Sequence, residues 1–271
     1  MSEVADLKKV LLGEVLGTFL LVFFGCGSLA VSVLFQALNG LLQIALIWGF
    51  AVTLGIYATR HLSCAHFNPA ISLAMVTAGR MSLKKLPSYL LGQFLGAFLA
   101  AAMLYLLFHG AIAYFEEIHS LIRGSAESIQ TAMIFTEFYP SPAAGETGPV
   151  TTWTAFIAEA TGTFFFVLMI FLLSEGCNLG RPDSALAPVF IGLTLTLLIT
   201  LLAPLTQAGF NPARDFSPRL FAYLAGWGQE VFKQGFFSVY ILAPVLGGQW
   251  AAITFTKILE PALSQSSSDR C

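Results

Sequence analysis

Two triplets, Asn68-Pro69-Ala70 and Asn211-Pro212-Ala213, each join a carboxamide to a proline that favours a helix start. Asn is a good N-cap, and Pro at the first helical position loses no intrahelical bond, so each triplet predicts a helix that opens at its Asn. The segments that follow, 70–78 and 213–223, are about ten residues each, or roughly 15 Å at 1.5 Å per residue. That is half of a hydrocarbon core about 30 Å thick. Two half-helices dipping in from opposite faces therefore meet near the midplane, bringing two positive dipole ends and two amides to one place. The chemistry is hydrogen-bond donation to a neutral solute combined with repulsion of cations. Non-helical backbone before each Asn is tolerable at that depth only where it lines a cavity.

A few ionisable residues sit beside these triplets. Arg214, three positions after Asn211, offers five donors that suit a hydroxylated solute and a charge that repels cations, unless it snorkels to the outer interface. Glu14 and Glu159 fit either a proton relay or a structural task, accepting hydrogen bonds from the re-entrant backbone. Their matched positions favour the structural task. His66, two residues before Asn68, is expected as a hydrogen-bonded pore-wall residue rather than a metal ligand. Trp48 suits either an interfacial belt or the pore. The four Cys have no C-x-x-C spacing and no His pair beside them, so no metal site, disulfide framework or cofactor is signalled. The reading is three buried thiols, Cys26, Cys64 and Cys177, with Cys271 in a polar tail.

The elements that must hold these residues are legible from composition. Of 271 residues, 56% are hydrophobic and 10% charged, far below the roughly 25% charge of a soluble domain. A net charge of −2 gives no basic stripe for nucleic acid. Uncharged runs near 11–34, 40–59, 87–109, 153–174, 185–203 and 236–257 predict six membrane-spanning helices. Small residues at four-residue spacing, as in Gly92/Gly96 and Gly192/Thr196, would allow close helix approach. Glu14-x-x-Gly17-Thr18-Phe19 opens the first run and Glu159-x-x-Gly162-Thr163-Phe164 the fourth, and each Asn-Pro-Ala follows its Glu by 54 and 52 residues. With three spans in each half, the second half must enter from the opposite side, which makes an inverted repeat. The expectation is one channel domain over 1–271, with halves near 7–140 and 150–258. Their joint falls in the connection 110–152, marked by Pro140, Pro142, Gly145, Gly148 and Pro149.

A cytoplasmic N-terminus places nine Lys and Arg inside (Lys8, Lys9, Arg60, Arg80, Lys84, Lys85, Arg181, Lys257, Arg270) and four outside (Arg123, Arg214, Arg219, Lys233). The C-terminus is then cytoplasmic too. Charges other than Glu14, Glu159 and Arg214 are expected in loops that orient the bundle or cover its outer face.

The twin Asn-Pro-Ala triplets, the paired Glu-x-x-Gly-Thr-Phe starts and Asn211-Pro212-Ala213-Arg214 make the chain resemble the aquaporin and glycerol-facilitator family over about 7–258. The resemblance implies an all-α right-handed bundle of six transmembrane helices and two half-helices. Asp215 is similar to the glycerol-conducting branch, as are Arg123-Gly124-Ser125-x-Glu127-Ser128, Leu186-Ala187-Pro188, 221–228 and the long outer loop. Matched spacing carries the family's outer constriction onto Trp48, Ile199, Ala208 and Arg214. Trp48 and Arg214 fit the glycerol facilitators, whereas Ile199 and Ala208 depart from their usual Gly and Phe and come closer to plant nodulin-type members. Cys64 and Gln207 stand where the family commonly has Gly. Cys64 is placed in the inner vestibule by its position four residues before Asn68.

The resemblance implies passage of glycerol and water, a homotetramer with one pore per subunit, and residence in a plasma or bacterial inner membrane. Metalloid acids, urea or mainly water are the alternatives within the family. A coupled secondary transporter, which also uses inverted repeats, would need more intramembrane carboxylates than Glu14 and Glu159. An intramembrane enzyme would need a nucleophile and base or a metal cluster, and the sequence signals neither.

Overall fold

The structure, a computed structural model, describes residues 3–142, 150–233 and 235–266. Gly145, Glu146, Gly148 and Pro149 of the joint, and the tail from 267 to Cys271, lie outside the described residues. Among the described residues the chain is helical, with no strand.

Six helices are long and apolar enough to cross a membrane: Asp6–Phe35, Leu41–Ser63, Leu83–Ile118, Thr152–Ser174, Ala187–Thr206 and Phe237–Ser264. They contain α1 (Glu3–Phe35), α2 (Leu41–Ser63), α4 (Leu86–Ile118), α6 (Thr152–Ser174), α7 (Ala187–Thr206) and α9 (Ala243–Thr254). Each predicted span is present. The first starts earlier than its uncharged run and the third and sixth end later, because helical hydrogen bonding continues through the charged and polar residues that flank the apolar stretches. Between them lie two short helices, α3 (Pro69–Thr77) and α8 (Pro212–Ala222), of 9 and 11 residues. At 1.5 Å per residue these are about 14 and 16 Å long, too short to span. A four-residue helix, α5 (Ile129–Ala132), sits in the long connection, and α10 (Glu260–Ser266) closes the described chain. The sixth span opens with a wide π-helical stretch, Phe237–Leu242, just before Pro244, where a ring without an N–H interrupts ordinary helical bonding.

Packing follows the repeat. α1 lies against α2 and α4, and α6 lies against α7 and α9 in the same way. Each half-helix crosses over: α3 seats on α9 of the second half and α8 on α4 of the first. α2 and α7 meet back to back at Gly49 and Gly192. A Cβ on Gly49 would lie 2.1 Å from Thr196 Oγ1, and one on Gly192 would lie 2.2 Å from Thr53 Oγ1. With no side chain on either glycine, Thr53 Oγ1 bonds Pro188 O at 3.1 Å and Thr196 Oγ1 bonds Ala45 O at 3.2 Å, so both hydroxyls stitch the crossing. Leu106, Leu107, Leu197, Leu201, Trp153 and Trp250 project from the bundle with most of their surface bare. Water would not tolerate so much apolar surface, but hydrocarbon does.

Candidate functional site

The stretches before the two Asn are built alike, and each is held by its own glutamate. Glu14 Oε1 accepts from Ser63 Oγ at 2.7 Å and His66 N at 3.0 Å, and its Oε2 from Phe67 N at 2.8 Å and Gln93 Nε2 at 2.7 Å. Glu159 Oε1 accepts from Thr206 Oγ1 at 2.6 Å and Gly209 N at 3.0 Å, and its Oε2 from Phe210 N at 2.7 Å. These are backbone N–H groups that no helix would satisfy, and each carboxylate accepts them from the loop beside it. The glycine one turn later makes room for the same loop. A Cβ on Gly17 would sit 1.9 Å from the Phe67 ring, and one on Gly162 would sit 2.0 Å from the Phe210 ring.

The repeat extends to residues that the motifs did not flag. Ser63 and Thr206 each stand five residues before an Asn and bond the backbone of Ala65 and Ala208 at 3.2 Å. Tyr89 and Tyr240 donate their hydroxyls to the carbonyls of Ser63 and Thr206. A hydroxyl-bearing residue at the same offset in both halves was the signal available for Ser63 and Thr206.

Left-handed backbone recurs in register: Cys64, Ala65 and Phe67 have φ of 68°, 59° and 55°, and Gln207, Ala208 and Phe210 have φ of 63°, 60° and 52°. This conformation favours glycine, which accounts for the glycine expected from the family at Cys64 and Gln207. Gln207 has a compensating contact, because its Oε1 accepts from Phe138 N at 2.7 Å. Cys64 is exposed and lines the cavity, and Cys177 is half-buried, so of the three thiols expected inside only Cys26 is buried. Cys64 borders the cavity just after α2 ends, and Cys177 lies in the connection between α6 and α7.

Both Asn act as N-caps, as expected. Asn68 Oδ1 accepts from Ala70 N at 2.9 Å, and Asn211 Oδ1 accepts from Ala213 N at 3.0 Å and Arg214 N at 3.2 Å. Their amide nitrogens reach across: Asn68 Nδ2 donates to Phe210 O and Asn211 Nδ2 to Phe67 O, both at 2.8 Å. An amide NH₂ carries two donors, so one remains on each Asn beside the cavity that both residues line.

That cavity, of about 620 Å³, is also lined by Trp48, His66, Ile199, Ala208 and Arg214. Arg214 Cζ stands 4.4 Å from the centre of the Trp48 ring, and Trp48 is buried against the cavity rather than exposed on the outside of the bundle. His66 Nδ1 pairs with Ser72 Oγ at 3.1 Å. At the far mouth, Arg60, Arg80, Lys85 and Arg181 border the same space. Arg80 bonds Glu175 at 2.8 Å and also Glu260, and hydrogen bonding to Glu175 above all raises the Arg80 pKa from its ordinary value.

The long connection corrects the expectation that its charges merely cover the outer face. Residues 131–139 are buried. Glu137, with no exposed side-chain surface, places Oε1 2.5 Å from Arg214 Nε, and Arg214 Nη1 donates to Phe135 O at 3.3 Å. Asp215, expected only as a branch marker, accepts from Thr136 Oγ1 at 2.8 Å, Glu137 N at 3.1 Å and Arg219 Nη2 at 2.7 Å through Oδ1, and from Arg219 Nε at 2.9 Å through Oδ2. Arg219, assigned to the outer face, is 1% exposed and also bonds Glu137 O at 2.6 Å. Buried Glu116 pairs with Arg123 at 2.7 Å, and Arg123 stacks 4.3 Å from the Trp227 ring. Two of the family-like stretches, 123–128 and 221–228, therefore form one clasp. None of these charges has a counterpart in the other half to mark it: Glu137 and Arg123 lie in the connection, Glu116 at the end of α4, and Asp215 and Arg219 in α8.

A membrane-spanning bundle whose two half-helices face each other across a lined cavity defines a membrane channel rather than an enzyme. A family model described as Major intrinsic protein matches residues 1–255, and the chain belongs to that family. It is 39% identical over 258 residues to the glycerol uptake facilitator protein of Haemophilus influenzae, covering 94% of this chain and 95% of that one. It is 40% identical over 240 residues to the glycerol uptake facilitator protein of Pseudomonas aeruginosa, covering 87% and 83%. The X-ray structure of the aquaglyceroporin from Plasmodium falciparum superposes with a TM-score of 0.81 at 26% identity, covering 96% of this chain and 99% of that one. The chain is a multi-pass integral membrane protein, and its cargo class is small neutral solutes.

Proposed function

We propose that the channel passes small uncharged polyols, glycerol foremost, together with water, passively down their gradients, and excludes ions and protons. The observation that carries this reading is the Arg214 guanidinium set 4.4 Å from the Trp48 ring in a cavity also lined by Ile199 and Ala208. A polyol has hydroxyls along one edge and CH groups along the other. Arg214 would donate to the hydroxyls while Trp48, Ile199 and Ala208 shield the carbons. Deeper in, the spare N–H of Asn68 and of Asn211 would take the solute oxygens, and the facing helix N-termini would repel cations. The names of the two bacterial relatives support the same solute.

Residues 7–140 and 150–258 are proposed as the inverted halves of one channel domain, assembled as a homotetramer with a pore in each subunit. The Lys and Arg distribution supports cytoplasmic termini, and the likeness to bacterial uptake proteins supports a plasma or bacterial inner membrane. A second reading, passage of metalloid acids or urea, is favoured by Ile199 and Ala208, which leave one wall aliphatic and small.

Stopped-flow light scattering on one proteoliposome preparation, comparing glycerol, water, urea and boric acid, tests both. Glycerol flux well above empty vesicles, linear in gradient, is expected. Saturable, proton-driven uphill accumulation would overturn the channel reading, and boric acid or urea outpacing glycerol would favour the second.

A further inference from the structure

The geometry points to Glu137 as a specificity-determining residue that sets the filter by holding the Arg214 guanidinium back from the solute path. The inference rests on the proposed role of Arg214 as a filter donor. Arg214 is drawn in two directions. Trp48 offers its ring face on one side, while on the other Glu137 Oε1 stands 2.5 Å from Nε and Phe135 O accepts from Nη1 at 3.3 Å.

Two buried carboxylates lie here and they behave differently. Asp215 has both oxygens committed to hydrogen bonds that fix Thr136, Glu137 N and Arg219. Glu137 has no such set of bonds: among the described residues Arg214 is its ionic partner, the Asp215 carboxylate stands beside it as a like charge, and neither of its oxygens accepts a geometrically aligned hydrogen bond. The contact is ionic, its geometry falling short of an aligned hydrogen bond. The carboxylate therefore acts through its charge, on a guanidinium only 4% exposed. The Glu137 main chain, in turn, is fixed from both sides, by Arg219 Nη2 on its carbonyl at 2.6 Å and by Gln207 Oε1 on the next N–H at 2.7 Å. The anion cannot follow Arg214 if it moves.

A buried guanidinium without its counter-charge carries a heavy desolvation cost, which it can relieve by turning toward water. The water available to Arg214 is that of the cavity it lines, on the solute path. Occupying that path obstructs a three-carbon polyol more than a single water. Glu137 thus governs the ratio of glycerol to water permeability without touching either solute.

The test compares wild type with Glu137→Asp and Glu137→Gln in proteoliposomes, reading the glycerol-to-water permeability ratio so that the number of active channels cancels. Asp keeps the charge and sets it back by one methylene, whereas Gln keeps the shape and loses the charge. The expected order is wild type, then Asp within about twofold, then Gln lower by about fivefold, the scale of one charged contact expressed in a rate. A packing role would reverse the two variants, since the isosteric Gln would be the milder. A Gln ratio equal to wild type, or an Asp ratio at or below that of Gln, would overturn the inference. Wild-type vesicles that pass no glycerol would overturn the proposed function and this inference together, whereas equal ratios in channels that do pass glycerol overturn only the role of Glu137.

Discussion

Asn68 Nδ2 donates to the carbonyl oxygen of Phe210 at 2.8 Å, so the amide that caps one half-helix also ties down the loop leading into the other. The reciprocal bond from Asn211 to Phe67 completes the pair. The junction of the two half-helices is therefore a mutual brace as well as part of the cavity wall.

Asn68→Asp separates these tasks. The carboxylate keeps the acceptor that caps Ala70 N but replaces the donor to Phe210 O with a charge facing a carbonyl. Thermal stability in detergent should fall by about 1–3 kcal/mol, the range for an unsatisfied buried group, and water and glycerol permeation should both drop. Unchanged stability and flux would show that the brace carries no weight.

Gly17→Ala and Gly110→Ala should differ sharply. The first places a methyl 1.9 Å from the Phe67 ring, which lies under the pore loop, while the second meets nothing within 4 Å. Overpacking of this kind costs about 1–3 kcal/mol or more, so Gly17→Ala should lose most of its monodisperse protein on size-exclusion chromatography. Gly110→Ala should elute like wild type.

Cys64→Gly should raise stability and Gln207→Gly should lower it, although both sit in the same left-handed conformation. Glycine relieves strain of about 1 kcal/mol at either position. At Gln207, however, it also removes the acceptor for Phe138 N. Equal shifts in melting temperature would mean that the Gln207 contact contributes nothing.

A bulky thiol reagent added from the Cys64 side should block the wild-type pore. Cys64 is exposed and lines the cavity, whereas Cys26 is fully buried. Cys64→Ser should be insensitive, and equal block of both proteins would rule Cys64 out of the permeation path.

Trp48→Ala removes the ring that faces Arg214 and leaves bare the space beside Gly25, where a Cβ would lie 2.4 Å from that ring. Permeability to four- and five-carbon polyols should rise relative to glycerol. Constant relative permeabilities would place Trp48 outside the constriction.

What could be read in advance follows from duplication. Glu14 and Glu159, Gly17 and Gly162, and the two Asn-Pro-Ala triplets recur in the same order at closely similar offsets, and a coincidence of two motifs is enough to predict the order of the helices in each half. Trp48 and Arg214 were placed by matched spacing within the family, and they prove to be in contact. Glu137 and Arg219 have no twin, and Gln207 differs in type from Cys64, its counterpart in the other half. Nothing in a Pro-rich connection distinguishes a carboxylate that turns inward from one that faces water, because the direction is decided by tertiary bonds to Asp215, Arg219 and Gln207. The same holds for Arg123 and Trp227, whose contact joins positions 104 residues apart.

The crossing of α2 and α7 at Gly49 and Gly192 bears on energetics. Machines that pump by rocking one repeat against the other need an interface that can slide, and here threonine hydroxyls and interlocked backbones close it. Each half-helix is also lodged in the opposite half, so one repeat cannot swing without dragging part of the other. A body locked in this way has no cycle to couple to a driving ion and no fixed stoichiometry of cargo per turnover. Net flow would reverse whenever the gradient does, leaving accumulation to whatever consumes the solute after it arrives.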